Sequence, residues 1–281
     1  MPPGMGGMST ARKGPTSRLG GYAHDMAASS NAPSGPPPVI EVALAVAFEQ
    51  IPNLGAVNLA TLAQRWNDEY PVLREVPGGP PPMLDPRPSI VMGFGAAPTR
   101  IWLMNESGNH LVQIQNDAFI FNWRLIDASD VYPEHKAILE RFSGLWKQFV
   151  GFVSDHGAVE PRVVEWTYVD KLDLSKPSNN LIRFVDEALG TLPGEAFSLS
   201  FQVARELRVG DRSEGFVSVF GSPGIVQASG EQIFALNIST KLDASGTDAT
   251  NASDLLLRAH DISFQAFTSV YPDYRPTIGA Q

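Results

Sequence analysis

The sequence predicts an α+β fold: an antiparallel curved sheet with long helices packed on it, built from two loose strand–helix–strand–strand(–helix) halves. Three observations carry this. Stretches of period-two alternation recur in both halves of the chain. An amphipathic stretch at helical spacing follows the strands of each half. The turns between consecutive strands are short, which implies antiparallel pairing. The 281 residues are expected to form a disordered tail over 1–38 and one compact domain over 39–281, with pseudo-halves of about 39–157 and 158–281.

Residues 1–38 hold seven glycines and seven prolines with almost no large apolar side chain. Such a stretch cannot bury enough surface to offset its ordering entropy. Met8 and Met26 are alternative starts within it. "PPPVIEVALAVAF" then opens the folded part as a central strand. Ile40, Val42, Leu44, Val46 and Phe48 form one side, and the alanines of the other side are expected to let a helix approach closely. The segment 59–70 carries Leu59, Leu62, Ala63 and Trp66 at helical spacing. Residues 71–99, rich in Pro and Gly, read as a long loop; "GFGAA" at 93–97 lacks the third glycine of a dinucleotide fingerprint.

"RIWLM" and "LVQIQNDAFIFNWRL" (111–125) suggest a hairpin. In the second strand the apolar parity changes at Asn116-Asp117, as a bulge would cause. A helix from Pro133 to a C-cap at Gly157 presents Ile138, Phe142, Leu145, Trp146, Phe149, Phe152 and Val153. His135 and His156 lie too far apart on it to share a metal. The second half reads as a strand at 162–174, a short helix at 180–189, strands near 196–209, 215–220 and 231–243, and a helix at about 252–270. His260 beside that helix's apolar stripe reads as a partly buried core histidine. Adjacent positions point apart on a helix, so pairing with Asp261 is not expected.

Two charges break the apolar faces. In "VEWTYVDKLDL" (164–174) the even side runs Val164, Trp166, Tyr168, Asp170; in "FSLSFQVARELRV" (197–209) Arg205 stands alone on the odd side. A buried charge needs a partner, so the two are expected to pair within one core, to line a polar pocket between sheet and helices, or else to sit at strand ends and reach water. The candidate binding residues are Asp170, Arg205, Trp166 and Tyr168, with Asn116, Asp117, Asn122 and Arg124 from the bulged strand. No catalytic residue, metal ligand or cofactor is expected. No G-x-S-x-G elbow, H-E-x-x-H, P-loop or His–carboxylate cluster at metal spacing occurs.

Composition narrows the function. Beyond residue 38 the chain carries 18 basic and 29 acidic residues, a net of −11, and no basic stripe, so nucleic acid is an unlikely partner. There is no run of 18 or more apolar residues, and no apolar segment follows Arg12, Lys13 and Arg18, so neither a membrane span nor a secretory leader is expected. Zero cysteines fit a reducing cytoplasm.

Several segments together resemble a bacterial protein family: "PPPVIEVALAVAF", "HLVQIQNDAFIFNWR", "ILERFSGLWKQFVGF", "WTYVDKLDL" and "AHDISFQAFTSV". That family is sporadically distributed, uncharacterised and of about this length, and the resemblance spans roughly residues 36–271. It often has Asn-Arg where this chain has Asp170-Lys171, which argues against Asp170 acting as a base. The resemblance implies no reaction or cofactor; patchy distribution suits accessory roles such as defence. The function expected is therefore a soluble, cytoplasmic, non-catalytic binding or interaction protein, a sensor or accessory factor, with a protein or small molecule as partner and possible homo-oligomerisation. The alternatives are a small-molecule-binding module with a pocket between sheet and helices, and a metal-independent hydrolase.

Overall fold

A computed structural model describes residues 39–85, 99–127, 129–172, 200–225, 230 and 232–270. The tail at 1–38, "GFGAA" and the helix expected at 180–189 lie outside them, as do residues 173–174 and 196–199 of the expected strands. The first half contains β1 (Val39–Phe48), α1 (Ala56–Gln64), β2 (Val72–Pro77), β3 (Thr99–Met104), β4 (His110–Gln115), β5 (Ala118–Arg124) and α2 (His135–Val153). The second contains β6 (Pro161–Leu172), β7 (Phe201–Val209), β8 (Arg212–Ile225), β9 (Gln232–Asp243) and α3 (Ala252–Val270).

All nine described strands form one open antiparallel sheet in the order β2-β3-β4-β5-β1-β6-β9-β8-β7. The first strand of each half pairs with the last strand of its own meander, and the two first strands pair with each other. The order is therefore mirrored about the β1–β6 seam. The fold is α+β, but it is mostly strand. The expectation of long helices as the dominant covering is not met, since the described helices are three, one of only nine residues.

Side-chain alternation assigns the two faces. On the covered face, Val42, Leu44, Val46, Phe119, Phe121, Val164, Trp166, Leu236 and Ile238 meet the apolar stripes of the helices. Phe119 lies at its centre, with the rings of Trp66, Phe142, Trp146 and Phe149 at 5.2–6.4 Å. Helix polar groups are tied down at the margins: Trp146 Nε1 donates to the Ala249 carbonyl at 2.7 Å and Trp66 Nε1 to Gln148 Oε1 at 2.8 Å. Ser263 of α3 donates to Thr240 Oγ1 at 2.7 Å, which fixes that helix against β9.

Three local expectations need correction. The 111–125 segment is two strands, not one bulged strand. Asn116 and Asp117 form a two-residue turn, and a turn reverses the chain while keeping Gln115 opposite Ala118. No described non-glycine residue has positive φ, so this is not a mirror-image hairpin turn. Its carbonyls instead accept from the backbone N–H groups of Phe48 and Ile51, at 3.0 and 2.9 Å. Part of the 71–99 loop is β2, an edge strand whose residues are nearly all exposed and so carry no buried alternation to read. The alanine side of β1 faces away from the helices: Ala43 and Ala45 line a cleft on the opposite face.

Candidate functional site

The face that none of the described helices covers carries the polar chemistry. Reading across β3, β4, β5 and β1, four side chains join in one row. Arg100 Nη1 donates to Gln113 Oε1 at 3.0 Å, Gln113 Nε2 to Asn122 Oδ1 at 2.8 Å, and Asn122 Nδ2 to Glu41 Oε1 at 2.6 Å. A guanidinium can only donate, so it fixes the orientation of both amides, and every donor points from the cation toward the carboxylate. The two ends are charge-assisted and so the strongest links. Burial raises the Glu41 carboxyl above its ordinary value despite the Asn122 hydrogen bond and the nearby Arg124.

Arg100 also organises a second branch. Its Nε donates to Gln115 Oε1 at 2.7 Å and its Nη2 to the Gly79 carbonyl at 3.2 Å. Gln115 Nε2 donates to the same carbonyl at 3.1 Å and to Asp117. Burial lowers the Arg100 guanidinium and raises the Asp117 carboxyl, with their mutual attraction opposing both effects. These bonds tie the segment after β2 across the sheet. A Cβ at Gly79 would lie 3.2 Å from Arg100 Nη2, so the backbone approaches the guanidinium closely there.

Beside this segment lies a cleft of ≈ 390 Å³. Ala43, Ala45 and Ile120 line it from the sheet, and Pro80, Pro81, Pro82 and Met83 line it from the segment after β2. Arg100, Gln113 and Asn122 stand along one side, and Glu165 and Lys241 along the other, with Asp85 also lining it. The register explains the hollow: Lys241, Glu165, Ala45, Ile120 and Gln113 fall on one line across the sheet, so methyl groups separate two polar walls. On the second wall Thr167 Oγ1 lies 3.0 Å from Ser239 Oγ, which donates to Glu165 Oε1 at 2.6 Å. Lys241 Nζ is 3.9 Å from that same oxygen.

The expected site residues separate. Asn122 lines the cleft, and Asp117 and Arg124 flank its polar row. Asn116 belongs to the hairpin turn. Trp166 and Tyr168 lie on the covered face, 0% and 4% exposed, with His260 at 4.9 and 6.2 Å. They are packed core rather than the wall of a pocket between sheet and helices. Asp170 is buried on that face, at 0% exposure.

Arg205 does not meet Asp170. Its alternation is as expected, for it shares a register line with Val217, Thr240 and Trp166. However, it stands exposed on the edge strand β7. Asp170 shares its line with Leu236, Gly221 and Phe201. Three strand spacings separate the two strands, roughly 14 Å, and four residues along the strand add about 13 Å. The ion pair and the pocket built on it are therefore overturned, because period-two alternation fixes a face but not a neighbour.

His260 and Asp261 do interact: Nδ1 lies 2.9 Å from Asp261 Oδ1. The His260 ring also stacks on His135 at a centroid distance of 3.9 Å, joining the first turn of α2 to the middle of α3. Among the described residues no group of three or more His, Asp or Glu is placed to hold a metal ion, and no helix is long and apolar enough to cross a membrane. Comparison with known proteins returned no matching family model, no matching curated protein and no matching solved structure.

Sequence reasoning missed Arg100, Gln113, Gln115 and Glu165 because each looked like the wet side of an alternating strand, and Glu41 because its side of β1 was expected to meet a helix. A usable signal was present. Gln113 and Gln115 have the spacing of one face, as do Asn122 and Arg124 on the next strand. Amides repeated on both arms of a hairpin are placed to hydrogen-bond to one another.

Proposed function

We propose that this chain is a non-catalytic binding protein whose ligand is a small molecule held on the uncovered face of the sheet. The observation that carries this reading is the cleft above Ala43, Ala45 and Ile120, bounded by two internally satisfied polar rows. Its volume falls within the range of small-molecule sites, about 300–1,000 Å³. Aligned side-chain networks of this kind hold a site rigid before a ligand arrives. The carboxylates of the two rows are each engaged within their own row, Glu41 by Asn122 and Glu165 by Ser239, which supports binding over hydrolysis.

The test is native mass spectrometry of the chain purified from its host, beside an Ala45→Leu variant that fills the floor. A bound mass on the natural chain that disappears from a folded Ala45→Leu supports the reading. Bare natural protein, or a mass retained by the variant, refutes it. An accessory or sensor role follows if ligand occupancy changes what the chain associates with.

A further inference from the structure

We infer that the ligand of this cleft is a neutral, planar heterocycle of one or two fused rings, with acceptor atoms on one edge and an N–H donor on the opposite edge. This inference rests on the cleft being a ligand site. Three features define the class.

The first is charge. Among the described residues, two acids and two bases line the cleft, Asp85, Glu165, Arg100 and Lys241. Arg100 gives hydrogen bonds to Gln113, Gln115 and the Gly79 carbonyl, and Lys241 faces Glu165. With the acids and bases in balance, the site shows no surplus charge for an ion to neutralise. A charged ligand would lose its hydration without gaining a counter-charge.

The second is shape. The floor residues Ala43 and Ala45 add almost no height, and Pro80, Pro81 and Pro82 add apolar surface to the lining. The side chains of β5 and β6 bound the alanine strip at two strand spacings, about 10 Å between backbones. A low apolar floor and a strip of that width suit one or two fused rings lying flat.

The third is the hydrogen-bonding sense of each wall. On the β4–β5 side, the oxygens of Gln113 and Asn122 already accept from Arg100 and Gln113 respectively. Each amide nitrogen has given one of its two hydrogens, so that wall offers N–H groups and calls for acceptors. On the β6 side, Oε1 of Glu165 takes the Ser239 hydroxyl, and the carboxylate's second oxygen can accept from a ligand N–H. Lactam and aminopyrimidine edges carry this acceptor-and-donor pattern on a flat ring, whereas a hydrocarbon ring lacks the pattern and a sugar lacks the flatness.

The experiment is calorimetric titration of the full chain with hypoxanthine, adenine, indole, benzoate and inorganic phosphate, repeated on Glu165→Gln and Gln113→Ala. Hypoxanthine or adenine should bind, with indole, flat but lacking ring acceptors, about ten-fold weaker or more. Each variant should weaken the heterocycle by about ten-fold while its melting temperature shows that it is folded. Gln113→Ala should affect acceptor-bearing rings and leave indole unchanged. Tighter binding of benzoate or phosphate than of either heterocycle overturns the class. So does the absence of heterocycle binding up to about 1 mM. These failures separate from failure of the binding site itself: a host-derived mass that is lost in Ala45→Leu keeps the cleft and discards only the heterocycle.

Discussion

Asn122→Ala tests the polar row most directly. Asn122 is 5% exposed and makes two of the row's three links, at 2.8 Å from Gln113 and 2.6 Å to Glu41. A hydrogen bond to a charged group contributes about 1.5–3 kcal/mol and a neutral one about 0.5–1.5 kcal/mol. Truncation also leaves a half-buried carboxylate and a buried amide without their partner. The cleft admits water beside them, which recovers part of the loss. The expected destabilisation is therefore about 2–4 kcal/mol, or a fall of roughly 5–15 °C in Tm for a domain of this size. The assay is urea unfolding of the natural chain, Asn122→Ala, Gln113→Ala and the double variant. Because the two amides share a bond, the double variant should lose less than the sum, with a coupling of at least about 0.5 kcal/mol. A loss below about 0.5 kcal/mol for Asn122→Ala, or strict additivity with Gln113→Ala, would mean the row is a solvated surface pattern without structural weight.

Other outcomes follow from the same geometry. Glu41 has a folded pKa raised by burial, so its contribution is fully present below the unfolded value of about 4.5 and is lost as pH rises through the folded value. Glu41→Gln should therefore flatten the stability profile above pH 4.5, and an unchanged profile in urea melts would refute this. His135 and His260 are both lowered, chiefly by burial; Lys136 and the neighbouring ring act in the same direction, while Glu134 and Asp261 oppose. Their contribution is present above about 6.5 and falls as acid protonates the stacked rings, so His135→Phe should lose less stability than the natural chain between pH 7 and 5. Arg205→Met should change stability by less than about 0.5 kcal/mol and add strictly to Asp170→Asn; coupling between them in a double-mutant melt would contradict the strand order. Gly215→Ala should destabilise severely, because its Cβ would lie 2.0 Å from the Lys241 carbonyl at φ +149°. A near-natural melting temperature would show that β8 can shift.

What could be read from the sequence was local and apolar. Of the stripe Ile138, Phe142, Leu145, Trp146, Phe149, Phe152 and Val153, all but the half-buried Phe152 form the buried face of α2, because helical periodicity and burial are the same fact seen twice. Strand positions were legible wherever one face is core, as in β1, β6 and β9. Edge strand β2 was not, since exposure removes alternation. Asn116-Asp117 looked like a bulge because turn and bulge both shift parity by one; only the partner strand distinguishes them. The site was least legible. Asp170 and Arg205 drew notice as charges on greasy faces, whereas most residues of the polar rows stood on faces assumed to be wet and Glu41 on one assigned to a helix. Glu165 and Gln113 meet across a hollow only because β6, β1, β5 and β4 are lateral neighbours, and lateral order is a long-range property that no window of residues contains.

The mirrored strand order also has a cost during synthesis. A ribosome that has released residues up to 153 has delivered β1 with β5 on one side and nothing on the other. Until β6 emerges and zips against it, the middle of the eventual molecule is a raw margin of valine, leucine and alanine, the kind of edge that recruits stray chains. Truncation just after α2 should for that reason yield an aggregating fragment rather than a tidy half-molecule.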